Sequence, residues 1–367
     1  MTNGGFGRLA VMTLVNAIIV LFVASFLISA VFIAYGEQYL KGVAEEAAMQ
    51  YARALERSGK QVNFTEIKQL FYEKYGLTRP VVERILVYVW RTFTLDFSDF
   101  PKAPQAEYPN GGENALDVVL RAMVPTLILF TTAQIIVIII GIYLGFQSAR
   151  KPGSLLDKFI STTAMVSASL PMWWVGLLML YIFSFHLRMF PIASTEVYAK
   201  IAKLSQELAA GKINIFEYYV GYIYQWFYHM SLPLITIVLV LFGSWAYIVR
   251  NIVIGVMAED FVIVARAKGL PERLVLYKHV LRTASPPIVT MTALALIGSL
   301  GGAIITETVF QWPGSGLTYW IALNSGDQGV LVVQTYIFVL LFVITISILD
   351  FIYMLLDPRV RIGGRVV

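Results

Sequence analysis

Cysteine and charged residues are scarce in this sequence. None of the 367 residues is Cys, only 14% are Asp, Glu, Lys or Arg, and three are His. Without cysteine the chain has no disulfide, no thiolate nucleophile and no zinc–thiolate site. Soluble chains have about 25% charged residues, so this low content predicts that much of the chain is shielded from water.

Catalytic motifs are absent as well. The G-x-x-x-x-G-K-[ST] phosphate loop does not occur, because both Gly-Lys pairs lack the earlier glycine and the following hydroxyl. No H-E-x-x-H motif is present, and Ser315 does not lie in a G-x-S-x-G elbow. We therefore predict a non-catalytic chain that binds no cofactor or metal and does not hydrolyse ATP by itself.

Long apolar runs take the place of such motifs. The chain is 58% hydrophobic, with a mean hydropathy of +0.71. A helix needs about 20 apolar residues to cross a hydrocarbon core of about 30 Å. The segments that meet this requirement are Ala10–Tyr35, Met123–Phe146, Phe159–Phe185, Leu232–Ile254, Pro287–Thr306 and Val330–Leu356. The first is longer than the apolar part of a signal peptide, so we predict an uncleaved helix.

Basic residues lie on one side of these segments. Cytoplasmic loops of membrane proteins are enriched in Lys and Arg, which assigns the segments around Arg8, Arg150, Arg273 and Arg359 to the cytoplasm. The loop 312–329 contains neither Lys nor Arg. We predict a multi-pass cell-membrane protein with both termini cytoplasmic. The net charge of +5 is dispersed at helix ends, which suits membrane lipid and not nucleic acid.

The predicted fold is an all-α integral membrane protein with six transmembrane helices and a helical extracytoplasmic insertion between the first and second. Residues Asn63 and Glu66 predict a capped helix in that insertion, Gly76 a helix end and Pro80 the next start. The predicted parts are 1–35 (cytoplasmic N-terminus and first helix), 36–122 (extracytoplasmic helical segment), 123–356 (five-helix core, with an outer insert at 188–230 and a cytoplasmic loop at 250–286) and 357–367 (cytoplasmic tail).

An aromatic-rich segment and two carboxylates near helix ends each have more than one interpretation. The aromatic-rich segment 216–228 fits an interfacial aromatic belt or a platform for a ligand or partner. Glu307 and Asp350 lie near helix ends, where they fit helix packing or a gating role. With few ionisable residues inside the spans, the chain has no evident energy source of its own.

The loop 250–286 predicts two short amphipathic helices joined by a Gly-x-Pro break. Gly269 can end the first helix in a left-handed conformation, and Pro271 can begin the second. Phe261, Val264, Ala265 and Lys268 share one predicted face of the first helix, and Leu274, Tyr277, Leu281 and Ala284 form the predicted apolar face of the second. Such a hairpin either docks on a partner or lies on the membrane surface.

At this loop the sequence resembles the inner-membrane permeases of dipeptide and oligopeptide ABC importers. Residues 259–270 resemble the family's "EAA" loop, although Ile263 and Val264 depart from the broad consensus. Residues 301–316 (GGAIITETVFQWPGSG) and the ending 350–361 are also similar to the family. The resemblance covers the first span and most of the chain from about Gly76 onward.

The resemblance implies a coupling helix that rests in a cleft of an ATPase subunit. The residues implied in coupling are Glu259, Asp260, Ala265, Arg266, Lys268 and Gly269. The residues implied near the pathway or outer gate are Gly298, Gly302, Glu307, Trp312, Gly314 and Gly316. The implied partners are a second homologous permease, two ATPase subunits that hold ATP and magnesium, and an extracytoplasmic substrate-binding protein. The Gly298-x-x-x-Gly302 pair would serve pairing of the two permeases or packing within the chain.

Cargo is the open point of this interpretation. Peptides are the commonest cargo of the family, but similar permeases carry oligosaccharides or nickel. A self-powered secondary carrier or channel is an alternative class, for which a central buried charge would be expected. An intramembrane enzyme is a third class, and it lacks any nucleophile–base pair.

Overall fold

A computed structural model describes residues 4–59, 63–74, 76–98, 100, 102–103, 106–299 and 302–356. The predicted tail 357–367 lies outside the described residues, as do Tyr75, part of the linker between Pro101 and Gly112, and the side chain of Asp350. The described residues form helices, turns and loops and contain no β-strand. The predicted all-helical class is therefore confirmed.

The helices differ greatly in length. In chain order they are α1 (Gly4–Arg57), α2 (Phe64–Lys74), α3 (Val81–Phe93), α4 (Ala115–Arg150), α5 (Leu155–Ser169), α6 (Met172–Met179, continued by a π-helix Leu180–His186), α7 (Glu196–Ala209), α8 (Ile215–Met257), α9 (Asp260–Ala267), α10 (Glu272–Leu274, continued by a π-helix Val275–Val280), α11 (Leu281–Gly298), α12 (Ile304–Phe310), α13 (Ser315–Ser325) and α14 (Gln328–Leu356).

Four stretches within single helices are long and apolar enough to cross a membrane. They are Val11–Ile33, Ala115–Arg150, Ile215–Met257 and Gln328–Ile348. The pair α5 and α6 is a fifth if it counts as one span, although the two parts are bent by 98°. These findings support an integral membrane protein with four or five such helices among the described residues.

Two of the six predicted spans are not single straight helices. In Phe159–Phe185 the helix stops before Pro171, where Leu170 is extended (φ −98°, ψ 125°) because proline disfavours the helical conformation of the residue before it. In Pro287–Thr306 the helix ends at Gly298, and Gly302 adopts a left-handed φ of +63° before α12 begins.

The chain divides into two compact units, Met1–Arg121 with Thr318–Val367, and Ala122–Leu317. In the first unit α1 packs against α2, α3 and α14. α1 continues to Arg57 without a break, well past the end predicted for the first span at Tyr35. The buried Asp327 directly precedes α14 and accepts hydrogen bonds from Val330 N (3.1 Å), Ala103 N (2.8 Å) and the Tyr108 hydroxyl (2.8 Å).

The helix starts and ends predicted between Asn63 and Pro80 are present in the first unit. Asn63 accepts a hydrogen bond from Thr65 N (3.2 Å) at the start of α2, and Gly76 has a left-handed φ of +66°. Pro80 directly precedes α3. Sequence patterns therefore located these helix ends correctly.

The second unit has two buried apolar clusters along the 43-residue helix α8. One surrounds Leu129, Met230, Ile237 and Trp312. The other joins the C-terminal part of α8 to the end of α4, α9, the following π-helix and α11. Its buried members are Phe146, Ala149, Val249, Val253, Val256, Val262, Ala265, Val275, Leu276, Val280, Ala284 and Ile288. These clusters hold the two regions in which the sequence predicts functional residues.

Candidate functional site

The first candidate site is the helical hairpin Glu259–Ala284, formed by α9, α10, the π-helix and the start of α11. Glu259 is extended (φ −74°, ψ 147°) and α9 begins at Asp260, whose charge favours a helix N-terminus. Gly269 has a φ of +75°, and Leu270 N donates to Ala265 O (3.3 Å) around it. The predicted left-handed stop at Gly269 is confirmed.

An ion pair closes the turn between α9 and α10. Arg266 donates two hydrogen bonds to Glu272, from Nη2 to Oε1 (2.8 Å) and from Nε to Oε2 (3.2 Å). This contact lowers the pKa of the Glu272 carboxyl and raises the pKa of Arg266. Both side chains are exposed, so we expect a contribution of no more than about 1 kcal/mol. The pair joins the end of α9 to the start of α10 across the Gly269 turn.

The buried face of α9 differs from the predicted one. Val262 and Ala265 are buried, three residues apart, against α8 and the π-helix. Phe261 and Val264, which the sequence pattern assigns to the apolar face, are exposed together with Ile263. The prediction is correct for Ala265 and wrong for Phe261 and Val264, because α9 is short and apolar on several sides and its pattern does not identify which side faces α8.

The second half of the hairpin also differs in register. The predicted Ala284 is buried and the predicted Leu281 is partly buried, but the predicted Leu274 and Tyr277 are exposed. Val275, Leu276 and Val280 are buried instead. The π-helix Val275–Val280 is the reason, since its i→i+5 hydrogen bonds rotate the side chains relative to an α-helical pattern.

The second candidate site is built around Glu307, whose side chain is 0% exposed. Its Oε1 accepts a hydrogen bond from Thr126 Oγ1 (2.9 Å). Its Oε2 accepts from the backbone N–H groups of Gly316 (2.8 Å) and Leu317 (3.3 Å). The carboxylate from α12 therefore caps the N-terminus of α13, where orphan amides and the helix dipole favour a negative charge.

Thr126 and Trp312 connect this cluster to α4. Thr126 Oγ1 accepts from Ser315 N (2.7 Å) and lies 2.9 Å from Ser315 Oγ. The fully buried Trp312 donates from Nε1 to the carbonyl of Pro125 (3.1 Å). We call Thr126, Glu307, Trp312, Ser315 and the glycines packed on them the carboxylate cluster.

Three glycines make room for the carboxylate. A Cβ on Gly302 would lie 2.8 Å from Glu307 Oε1, and one on Gly316 would lie 2.7 Å from Ile304 Cα. A Cβ on Gly314 would collide with Glu307 Oε2 and Thr126 Oγ1. The spacing of glycines around Glu307 is therefore a packing requirement.

The structure brings five of the six predicted gate residues together and leaves one apart. Gly302, Glu307, Trp312, Gly314 and Gly316 share the carboxylate cluster. A Cβ on Gly298 would meet nothing within 4 Å. Gly298 and Gly302 lie on opposite sides of a helix break, so they form no common helical face.

An ion pair that the sequence did not single out ties α5 to α8. The buried Asp157 accepts hydrogen bonds from Arg250, Ser148 Oγ (2.7 Å) and Gly153 N (2.8 Å). Its one local signal is the Ser154-x-x-Asp157 spacing of a capping box. Thr126 was missed as well, because an isolated threonine in an apolar helix carries no pattern.

The groups at these two sites are suited to packing and binding. Among the described residues no group of three or more His, Cys, Asp or Glu side chains could hold a metal ion. The Glu307 carboxylate accepts hydrogen bonds from one hydroxyl and two backbone N–H groups.

Known proteins are similar to this chain over most of its length. It is 28% identical to the oligopeptide transport system permease protein AppB of Bacillus subtilis over 294 residues, which cover 80% of this chain and 85% of that protein. It is 28% identical to the dipeptide transport system permease protein DppB of Escherichia coli over 303 residues, covering 78% and 83%. It is 28% identical to the di/tripeptide transport system permease protein DppB of Pseudomonas aeruginosa over 299 residues, covering 78% and 83%.

The match to a protein family includes both candidate sites. Residues 137–362 match the family described as "Binding-protein-dependent transport system inner membrane component". This range contains the helical hairpin and, apart from Thr126, the whole carboxylate cluster. The chain therefore belongs to the family of inner-membrane components of binding-protein-dependent transport systems.

Proposed function

We propose that this chain is one permease subunit of an ABC importer for peptides. Relatives named as oligopeptide, dipeptide and di/tripeptide permeases support this cargo class. In the proposed assembly, a second permease completes the translocation path, and two ATPase subunits bind magnesium and ATP and hydrolyse the ATP. A substrate-binding protein delivers cargo at the outer face. The chain itself binds no cofactor.

The observation that carries this proposal is the two-sided packing of the helical hairpin. One side of α9 is anchored by Val262 and Ala265, which lie in the buried apolar cluster at the C-terminal part of α8. The other side presents Phe261, Ile263 and Val264. Exposed apolar residues on a rigidly anchored helix fit a partner surface. Glu259, Asp260, Arg266, Lys268 and Gly269 then provide the charges and the end of this coupling helix.

The long helix α8 supplies a path for coupling. The hairpin packs directly on the C-terminal end of α8, which is 43 residues, or about 65 Å, long. The Asp157–Arg250 ion pair links this C-terminal part of α8 to α5. A displacement of the hairpin by ATPase closure would move these helices together and rock the spans between inward-open and outward-open states.

The proposed topology has six membrane passages with both termini in the cytoplasm. In this arrangement α5 with α6, and α11 with α12, each form one bent passage. Residues 36–122 and 188–230 lie outside, and 250–286 and 357–367 lie in the cytoplasm. The carboxylate cluster then lies at the outer end of the fifth passage as a rigid wall of the outer gate, formed by Gly302, Glu307, Trp312, Gly314 and Gly316.

A charge on the exposed side of α9 tests the coupling role. Val264 is 51% exposed, so Val264→Asp should leave the chain folded. We expect the variant to lose co-purifying ATPase subunits, because a desolvated carboxylate without a partner disfavours an apolar interface. The measurement is recovery of ATPase subunits with the tagged chain from native membranes.

The control carries the same substitution at another exposed valine. Val82 is 68% exposed on α3, in the proposed outer segment, and Val82→Asp should retain the ATPases. Equal recovery of ATPases with both variants would refute the docking role of α9. Absence of any ATPase with the unmodified chain, under conditions that preserve other membrane complexes, would refute the importer itself.

A further inference from the structure

A cavity of about 420 Å³ lies between the end of α4 and the start of α5, away from both sites described above. Its lining residues are Gln147, Arg150, Lys151, Ser154, Leu155 and Leu156. Two of them are cations, and none of these described lining residues is a carboxylate. The N-terminus of the 15-residue helix α5 adds the positive end of a helix dipole. The cavity therefore favours an anionic group.

The nearest carboxylate does not cancel this positive charge. Asp157 is buried and accepts hydrogen bonds from Arg250, Ser148 and Gly153. Arg250, by contrast, points into that ion pair and is not part of the cavity lining. Arg150 makes a single described side-chain hydrogen bond, from Nη1 to Gln147 Oε1 (2.8 Å), which leaves most of its guanidinium donors to other partners.

Apolar stripes extend from the cavity along both helices. On α4 the exposed residues Ile135, Ile139 and Tyr143 lead at four-residue spacing to Gln147. On α5 the stripe begins with Leu155, which is 87% exposed, and continues through the exposed Phe159. A compact anion such as phosphate would make no use of these stripes, whereas a lipid places its headgroup on the cations and its chains along the apolar residues.

We infer that this cavity binds the headgroup of an anionic phospholipid of the cytoplasmic leaflet. Arg150 and Lys151 contact the phosphate, and Leu155 and Phe159 contact the acyl chains. Basic cavities between helices on the cytoplasmic side have the chemistry that anionic lipid headgroups require. The inference rests on the proposed topology, which places the α4–α5 turn in the cytoplasm.

Photo-crosslinking tests the site in the whole complex. The complex is purified from its native membrane and placed in phosphatidylcholine nanodiscs with a trace of photoactivatable phosphatidylglycerol, and crosslinks are mapped to peptides. We expect labelling concentrated within residues 143–159. Each basic residue near an anionic surface contributes about fivefold in affinity, so Arg150→Gln with Lys151→Gln should reduce labelling about 25-fold. Leu155→Glu, at a highly exposed position, should reduce it without affecting folding.

Controls distinguish a specific lipid site from general attraction between anionic lipid and the basic residues of the chain. Lys200→Gln with Lys212→Gln removes the same charge from exposed positions outside the helical hairpin and the carboxylate cluster, and should leave labelling within 143–159 unchanged. A photoactivatable phosphatidylcholine analogue should label this region far less. Equal labelling by the two lipids, loss of labelling on adding inorganic phosphate, or labelling only after removal of the ATPase subunits would each overturn the inference. Its failure in a complex that still contains ATPases would leave the proposed function intact.

Discussion

At the scale of single residues, the carboxylate cluster explains why the segment 301–316 combines several glycines with one glutamate. Glu307 is fully buried, and removing its carboxylate from water costs free energy. Three hydrogen-bond donors, from Thr126, Gly316 and Leu317, offset this cost. The donors reach it only because Gly302, Gly314 and Gly316 have no Cβ. The cluster is therefore a single unit in which each member requires the others.

The substitution Gly314→Ala tests this packing. Its Cβ would collide with Glu307 Oε2 and Thr126 Oγ1, so the cluster must shift or lose hydrogen bonds. We expect a loss of about 1–3 kcal/mol of stability. Thermal unfolding of the purified chain in detergent measures it. Gly298→Ala is the matched control, because its Cβ meets nothing within 4 Å, and equal destabilisation by both changes would contradict the packing account.

At the scale of elements, the helical hairpin depends on one backbone conformation. Gly269 has a φ of +75°, while the space around its Cβ position is open. Its requirement for glycine is thus conformational and not steric. Left-handed backbone costs other residues about 1–2 kcal/mol, enough to change how α9 is joined to α10.

We expect Gly269→Ala, and more strongly Gly269→Pro, to separate ATP hydrolysis from transport. Proline fixes φ near about −65°, which is incompatible with the observed turn. The measurement is the ratio of cargo uptake to ATP hydrolysed in proteoliposomes containing the full complex. Gly255→Ala is the control, since Gly255 lies within α8 and its Cβ position is also open. A normal ratio in both Gly269 variants would remove the coupling-helix assignment.

At the scale of the whole molecule, helix lengths and breaks set how the chain could cross a membrane. Four apolar stretches within single helices and one bent pair are long enough for this. The remaining proposed passage, the fifth in chain order, combines α11 and α12 across the break at Gly302. Bent passages fit a transport pathway, because non-helical backbone inside a membrane is tolerated where it is buried in protein or lines a cavity.

Single introduced cysteines test the proposed orientation. The chain contains no cysteine, so each introduced thiol is unique. Glu113 and Arg273 are both exposed and neither needs a left-handed backbone. We expect Glu113→Cys to react with an impermeant maleimide in intact cells, and Arg273→Cys to react only after the membrane is opened. The reverse pattern would refute the orientation.

The amino-acid sequence by itself determined the membrane class, the family and the local ends of several helices. Apolar runs of sufficient length need no tertiary information to be recognised, and Gly76, Gly269 and Pro80 act through backbone conformation alone. Family membership followed from contiguous motifs that include the hairpin and the Glu307 segment.

Only the tertiary structure decided which faces are buried and which residues meet. Val262, and not Val264, faces α8, because a short helix that is apolar on several sides takes its orientation from its neighbours. The π-helix Val275–Val280 rotates the following side chains in a way that α-helical spacing does not predict. Thr126 meets Glu307 from 181 residues away, and Arg250 meets Asp157 from 93. Such pairs leave no periodic signal in the sequence, because they arise from packing between helices.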